Sequence, residues 1–150
     1  MSAKTTTFAA QILNLVLNNL AAANIGDVAG LQPSGANGVL YVSLHTADPG
    51  VGGSQNTSEA GYTGYARIPV ARDNTWWTVA GASATNAKVI AFPISASGPQ
   101  TITYAGIGTS LAGAGHLLYR ALVVTPAGGL IVNVGITPTI AIGAAQIVEA

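Results

Sequence analysis

The chain has very few charged side chains. Of its 150 residues, five are Lys or Arg and five are Asp or Glu, so the formal net charge is zero. Ordinary soluble domains carry roughly a quarter charged residues. Because 49% of the residues are apolar, a lone monomer would leave much neutral surface in water, and a net charge near zero promotes association. The composition predicts a subunit of an assembly rather than an enzyme.

Other absences exclude further classes of protein. Without a basic excess the chain has no footprint for phosphates, so we expect neither nucleic acid nor an anionic membrane as a partner. The lack of cysteine excludes disulfides and thiolate metal sites. The apolar stretch from Phe8 to Leu20 contains Gln11, Asn14 and Asn18, so it is too short to span a membrane. No cofactor is predicted.

The N-terminal part of the chain has the pattern of a short amphipathic helix. Thr5 to Thr7 can cap it, and we expect it to end within Ala21 to Gly26. Its apolar face is predicted to consist of Phe8, Ile12, Leu15, Val16 and Leu20. The Gly- and Pro-containing segment from Gly26 to Gly38 then has the character of an arm. Residues 1–38 are therefore predicted to form a helix and arm, which either cover the rest of the chain or contact a neighbouring subunit.

From residue 39 the apolar pattern alternates, which is typical of β-strands. Gly, Pro and Ser separate the apolar stretches, and no connecting segment is long and helical enough for a parallel α/β fold. We predict an all-β fold for residues 39–150, a β-sandwich or jelly-roll-like domain. Its eight predicted strands are 40–45, 65–72, 76–80, 88–92, 101–107, 117–124, 130–136 and 139–142.

The predicted strand from Leu117 to Val124 is apolar on both faces, apart from Arg120. Such a strand is either central in its own domain or exposed at an intersubunit surface. Under the second interpretation Leu118, Arg120 and Leu122 contact another subunit, together with the apolar face of the helix.

Ser43, His45 and Asp48 have the side-chain types of a hydrolytic triad. Ser43 and His45 lie about 7 Å apart along an extended strand, so we expect their side chains not to reach hydrogen-bond distance. We therefore predict no catalytic residue, and a hydrolase that uses His45 and Asp48 is the weakest hypothesis. No spacing of His, Asp or Glu predicts a metal site. His45, Asp48 and Arg67, with Tyr41, are instead predicted to organise turns.

Aromatic residues offer a second kind of binding site. Trp76 and Trp77 are adjacent, so on a strand one faces the core and the other faces outward. An exposed indole can stack on a sugar ring. Trp77, Tyr62 and Tyr65, with the Gly- and Ser-rich loop from Gly50 to Gly64, are therefore candidate glycan contacts.

Four segments of the chain resemble a known protein family. They are Leu40–Gly50 (LYVSLHTADPG), Gly61–Arg67 (GYTGYAR), Ile102–Gly108 (ITYAGIG) and Leu117–Tyr119 (LLY). Together they resemble small virion proteins of tailed bacteriophages, which are variously labelled tail-fibre-like or capsid decoration proteins. The segment LHTADPG is the most specific of them.

The resemblance implies a structural, non-enzymatic role in the virion. We predict a capsid decoration, or cement, protein on the outer surface of the head, which binds the major capsid protein and associates with itself, as a homotrimer if it is like other decoration proteins. The alternative is a tail-fibre or baseplate component that binds a host surface glycan.

Overall fold

The computed structural model describes residues 3–123 and 128–149. Within these residues one helix, α1 (Thr6–Leu17), precedes eleven short strands. The all-β prediction with one leading helix is confirmed. The strands are β1 (Val39–His45), β2 (Ile68–Ala71), β3 (Trp77–Ala80), β4 (Ser83–Asn86), β5 (Ile90–Ala91), β6 (Gln100–Ile102), β7 (Tyr104–Gly108), β8 (Leu117–Leu122), β9 (Leu130–Val132), β10 (Thr139–Ile140) and β11 (Gln146–Val148).

The strands form four small sheets. The largest has the order β2-β1-β7-β8, and a three-stranded sheet has the order β11-β4-β3. Two further sheets are the pairs β10-β5 and β6-β9. The pairings of β1 with β7, β7 with β8, β3 with β4, β4 with β11 and β6 with β9 are all antiparallel. A β-sandwich or jelly-roll arrangement of these sheets stays a prediction.

The chain divides into two compact units, each built from separate stretches of sequence. Unit 1 comprises Met1–Val39, Ala71–Val89 and Ile140–Ala150, and unit 2 comprises Leu40–Val70 and Ile90–Thr139. This division differs from the predicted one into 1–38 and 39–150. The reason is that α1 packs on β3 and β4, so the helix shares a core with strands that lie far from it in the sequence.

Helix α1 begins where the sequence predicts it to begin but ends earlier. The side chain of Thr5 caps it by accepting a hydrogen bond from Phe8 N (3.3 Å). The helix ends at Leu17, with Asn18 as its C-cap and Asn19 at φ +55°. Asn is one of the few side chains that tolerate this left-handed conformation, and two consecutive Asn residues stop the helix before Ala21.

The buried face of α1 is not the predicted one. Ala9, Leu13 and Leu17 are completely buried. Phe8 and Leu20 are exposed, and Ile12, Leu15 and Val16 are only partly buried. Periodicity could not select the face, because apolar residues cover more than half of the helix circumference. Ala9 is small, and a small residue on the packing face lets the helix backbone lie close to the sheet.

Arg72 satisfies the C-terminal end of α1. Its guanidinium donates to the carbonyl oxygens of Leu15 (2.7 Å) and Val16 (2.8 Å) and to Ser34 Oγ (3.0 Å). The last carbonyls of a helix have no partner within it, and a cation also interacts favourably with the helix dipole there. One side chain thus ties the end of the helix to the segment that follows it.

Two strands of unit 1 were not predicted. β4 has the sequence Ser-Ala-Thr-Asn, which is small and polar, and β11 has only three residues. A two-residue turn that starts with Gly81 at φ +59° folds β4 onto β3. Asn86 then secures it, since its buried amide donates to the carbonyls of Lys88 and Ala141, each at 2.8 Å. These strands form because of their partners and not because of their own propensity.

The predicted strands of unit 2 also need correction. The segment 101–107 divides at Thr103 into β6, which pairs with β9, and β7, which pairs with β1 and β8. The strand predicted for 117–124 ends at Leu122, and Val124 lies outside the described residues. Strand β1 is buried on both faces from Val42 to His45, and strands β2 and β7 cover its two edges.

Two matched substitutions in α1 test which face is the core. Leu13→Ala should lower the free energy of unfolding by about 2 to 5 kcal/mol, because it leaves a cavity at a fully buried site. Leu15→Ala makes the same chemical change at a partly exposed site of the same helix and should have a clearly smaller effect. Urea denaturation of both variants measures the difference, and equal losses would contradict the assignment.

Candidate functional site

A buried polar network surrounds the end of β1 in unit 2. Ser43, His45 and Gln55 are completely buried, and Arg67 is nearly so. Strand β7 makes room for the first two, because Gly106 pairs with Ser43 across the sheet. A Cβ atom at Gly106 would lie 2.9 Å from His45 Nε2 and 3.0 Å from Ser43 Oγ. Because Gly106 of β7 has no side chain, Ser43 and His45 of the neighbouring strand β1 can occupy the space above it.

Ser43 and His45 do form a hydrogen bond, and the expectation that they would not is wrong. Ser43 Oγ lies 2.9 Å from His45 Nε2, and His45 Nδ1 lies 2.9 Å from the carbonyl oxygen of Thr57. The carbonyl can only accept, so Nδ1 carries the proton and Nε2 accepts from the Ser43 hydroxyl. Both side chains lie on one face of β1 and lean together above Gly106, which the spacing of their backbones does not reveal.

This pair is not the start of a hydrolytic triad. The backbone of Thr57, and not Asp48, holds the imidazole. Asp48 Oδ1 instead accepts from Gly50 N (2.8 Å) and from Arg120 Nη1 (2.5 Å). Ser43 is 0% exposed, so its hydroxyl has no contact with solvent. Burial lowers the pKa of His45, which keeps the imidazole neutral beside the hydroxyl.

Arg67 and Glu59 form a bidentate ion pair beside this network. Arg67 Nε lies 2.7 Å from Glu59 Oε1, and Nη2 lies 2.8 Å from Oε2. The hydroxyl of Tyr65 donates to Glu59 Oε1 (2.9 Å) and accepts from Leu44 N (3.0 Å). The hydrogen bonds that Arg67 donates to Glu59 raise the pKa of Arg67, and burial raises the pKa of Tyr65. At neutral pH Arg67 therefore stays charged and Tyr65 stays neutral.

Arg67 also holds the loop that leads from β7 to β8. Its Nη1 donates to Ser110 O (2.8 Å) and its Nη2 to Gly113 O (2.6 Å). Gln55 supports the same loop, since its Oε1 accepts from Ser110 N (2.8 Å). A side chain at Gly115 would overlap Gln55. The residues between β7 and β8 therefore form a loop fitted around the side chains of Arg67 and Gln55, and Gly115 leaves the space that Gln55 occupies.

Strand β8 is the outer strand of the four-stranded sheet. Leu118 is 41% and Leu122 57% exposed, so the interpretation of this segment as a central, covered strand is wrong. Arg120 lies between them and pairs with Asp48. The structure thus brings the three predicted contact residues of this strand to an exposed edge of unit 2.

The aromatic residues predicted to contact glycan face inward. Trp77 is 1% exposed and Tyr62 is also buried. The rings of Tyr62 and Tyr65 meet edge to face at 5.3 Å, and that of Tyr65 stacks on Phe92 at 6.3 Å. The two tyrosines and Phe92 pack together in unit 2, whereas Trp77 is buried in unit 1. Of the two tryptophans Trp76 is the outer one, and the ammonium group of Lys88 lies 5.0 Å from its ring centre.

Two residues of the polar network around Arg67 were not predicted from the sequence. Neither Glu59 nor Gln55 is among the predicted site residues, although Glu59 binds Arg67 and Gln55 binds Ser110. One signal was available for Glu59, because in a chain with five acidic residues a Glu eight positions before an Arg is a candidate partner. Tyr41, predicted to organise this region, contributes its carbonyl, which accepts from Gln55 Nε2 (3.3 Å).

Among residues 3–123 and 128–149, no three His, Asp or Glu side chains are grouped as a metal site requires. The same residues contain no helix with the length and apolarity needed to cross a membrane.

The chain is thus a small β-rich protein with a network of paired, mostly buried polar side chains and with leucines exposed at a sheet edge. The family model described as "Podophage GP4 fiber I protein gp80" matches residues 3–147, and the chain belongs to this family. It is a bacteriophage virion structural protein. A search of curated proteins found no match.

The buried His45 predicts a dependence of stability on pH. Because its folded pKa lies below the unfolded value of about 6.5, the unfolded chain binds a proton first as the pH falls. The free energy of unfolding should therefore decrease below about pH 6.5, by at most about 1.4 kcal/mol per pH unit, until folded His45 is protonated as well.

Urea denaturation between about pH 4.5 and 7.5 measures this slope. His45→Asn removes the titrating group but keeps an amide near Nδ1, so the slope should become smaller. His116→Asn changes the other histidine, which is exposed, and should leave the slope as it is. An unchanged slope in the His45 variant would contradict the assignment.

The Arg67–Glu59 pair predicts a large effect on stability. Arg67→Met should lower the free energy of unfolding by about 3 to 5 kcal/mol, because it leaves Glu59 and two loop carbonyls without their partner. Lys4→Met is the control, since it removes the cation of a more exposed pair, Lys4–Glu149, and should cost at most about 1 kcal/mol. A loss of that size for Arg67→Met would show that the pair is not needed.

Proposed function

We propose that this chain is a non-enzymatic structural subunit that takes its place in the virion by packing apolar surface against other subunits. One observation carries the proposal. Among the described residues, sixteen large apolar side chains are exposed, whereas the whole chain has only ten charged ones, five of each sign. Large exposed apolar areas on a soluble protein mark surfaces that a partner covers.

The internal use of the polar groups supports a non-enzymatic role. Ser43 and His45, the residue types most suited to catalysis, are buried and bonded to each other. Arg67 and Glu59 bind each other and hold loops. In this proposal the polar side chains stabilise the subunit, and the apolar ones make its contacts.

For the place in the particle, the first candidate is a fibre. The family is named after a fibre protein, and its model matches residues 3–147 of the chain. In this proposal the chain is a building unit of such a fibre. Recognition of a host glycan by Trp77, Tyr62 and Tyr65 is not part of it, because Trp77 and Tyr62 are buried.

The second candidate is a capsid decoration protein on the outer surface of the head. The division of the chain into two compact units of short strands favours it, since a long fibre shaft would be expected to show an extended sequence repeat. The partners would then be the major capsid protein and further copies of this chain, three of them by analogy with other decoration proteins.

Immunogold electron microscopy of purified virions distinguishes these places. Antibody raised against this chain should label intact particles, and we expect the label on fibres. Label spread over the head would overturn the fibre and support the decoration protein. Particles that stay unlabelled, while antibody binds the purified chain, would contradict a structural role. Antibody first absorbed with the purified chain is the control.

A further inference from the structure

The two outer strands of the four-stranded sheet differ in how they are protected. Strand β2 has four residues and contains Pro69, which has no N–H to offer to another strand. Strand β8 has six residues and contains neither Pro nor Lys. Natural proteins use short strands, Pro and charged side chains, Lys above all, to keep sheet edges from pairing. The β2 edge is short and contains Pro69, whereas the β8 edge carries only Arg120, whose charge is paired with Asp48.

The backbone of β8 is oriented to accept another strand. Val123 N, directly after the strand, donates to Thr103 O at 2.8 Å, so it points towards the strand's neighbour in the sheet. Backbone groups alternate in direction along an antiparallel strand. Those of Leu122 and Arg120 therefore point to the outer edge, where the side chains of Leu122 and Leu118 are exposed.

We propose that β8 pairs antiparallel with β8 of a second copy of this chain, about a two-fold axis at Arg120. The sheet then continues from one copy into the other, and Leu118 lies opposite Leu122 of the second copy. Such pairs across neighbouring strands are the units that stabilise a sheet. The inference rests on the proposed structural role and names the partner and surface for it.

Charge explains why the partner is a second copy. The one charge on β8, Arg120, is already neutralised by Asp48, with 2.5 Å between Nη1 and Oδ1. The edge thus presents backbone groups and leucines without net charge, and a strand of the same chemistry complements it. At the two-fold axis two Arg120–Asp48 pairs meet, and each carboxylate offsets the repulsion between the two guanidinium groups.

Sedimentation velocity of the purified full-length chain tests the pairing. We expect a species of twice the chain mass of 14.9 kDa. Leu118→Lys with Leu122→Lys places two ammonium groups on each edge and should raise the dissociation constant at least tenfold. Ile131→Lys with Val134→Lys makes the same change at two other exposed sites of unit 2 and should leave the mass unchanged. A wild-type monomer or trimer would overturn the proposal.

Substitution of Asp48 tests whether the two β8 strands pair in the register that brings the two Arg120 side chains together. Asp48→Asn keeps the acceptor for Gly50 N but leaves two bare Arg120 charges at the axis, so association should weaken at low salt. Adding Arg120→Gln removes those charges and should restore it. Amide hydrogen exchange should show Arg120 and Leu122 protected in the wild type and not in the double-lysine variant.

These experiments separate the inference from the role on which it rests. Amides at Arg120 and Leu122 that exchange equally fast in both proteins would overturn the strand pairing, even if the chain is dimeric. A monomeric chain that immunogold nevertheless locates on virions would overturn the pairing and leave the structural role intact.

Discussion

The ion pair between the buried Arg67 and the partly buried Glu59 is the interaction on which the described part of unit 2 depends. Removing two charges from water is expensive, and the cost is offset only when every polar atom finds a partner. Here both carboxylate oxygens and the guanidinium nitrogens have partners. Because these include two carbonyls of the loop before β8, the same pair that stabilises the interior also sets where the exposed strand begins.

The second constraint is the close approach at Gly106. Its missing side chain admits Ser43 and His45 between two strands, and His45 then holds the carbonyl of Thr57. A serine and a histidine at hydrogen-bond distance resemble a nucleophile and its base, but here both side chains are completely buried. Ser43 and His45 bond to each other, and His45 also bonds to the carbonyl of Thr57 in the following loop. In the described structure these two side chains therefore stabilise the packing of β1.

Parts of the sequence were reliable guides and others were not, for physical reasons. The cap at Thr5 and the strand at β1 are local patterns, and both were predicted. The buried face of α1 was not, because apolar residues surround most of that helix and only β3 and β4 decide which of them are covered. Trp77 and Tyr62 were expected at the surface, yet a large ring is buried wherever the fold provides apolar neighbours. Glu59 is a candidate partner of Arg67 from the sequence, but the bonds to Tyr65 and to the carbonyl of Ser110 that complete the network depend on how the chain folds.

The sequence by itself determined the class of protein. Few charges, alternating apolar residues and frequent turns indicate an all-β subunit with a neutral surface. The four segments that resemble a known family indicate a phage virion protein. These properties are local or compositional, so they do not depend on the fold. Only the tertiary structure decided which side chains are inside, that Ser43 meets His45, and that β8 lies at a sheet edge. Those outcomes depend on contacts between residues distant in the chain, which local patterns do not encode.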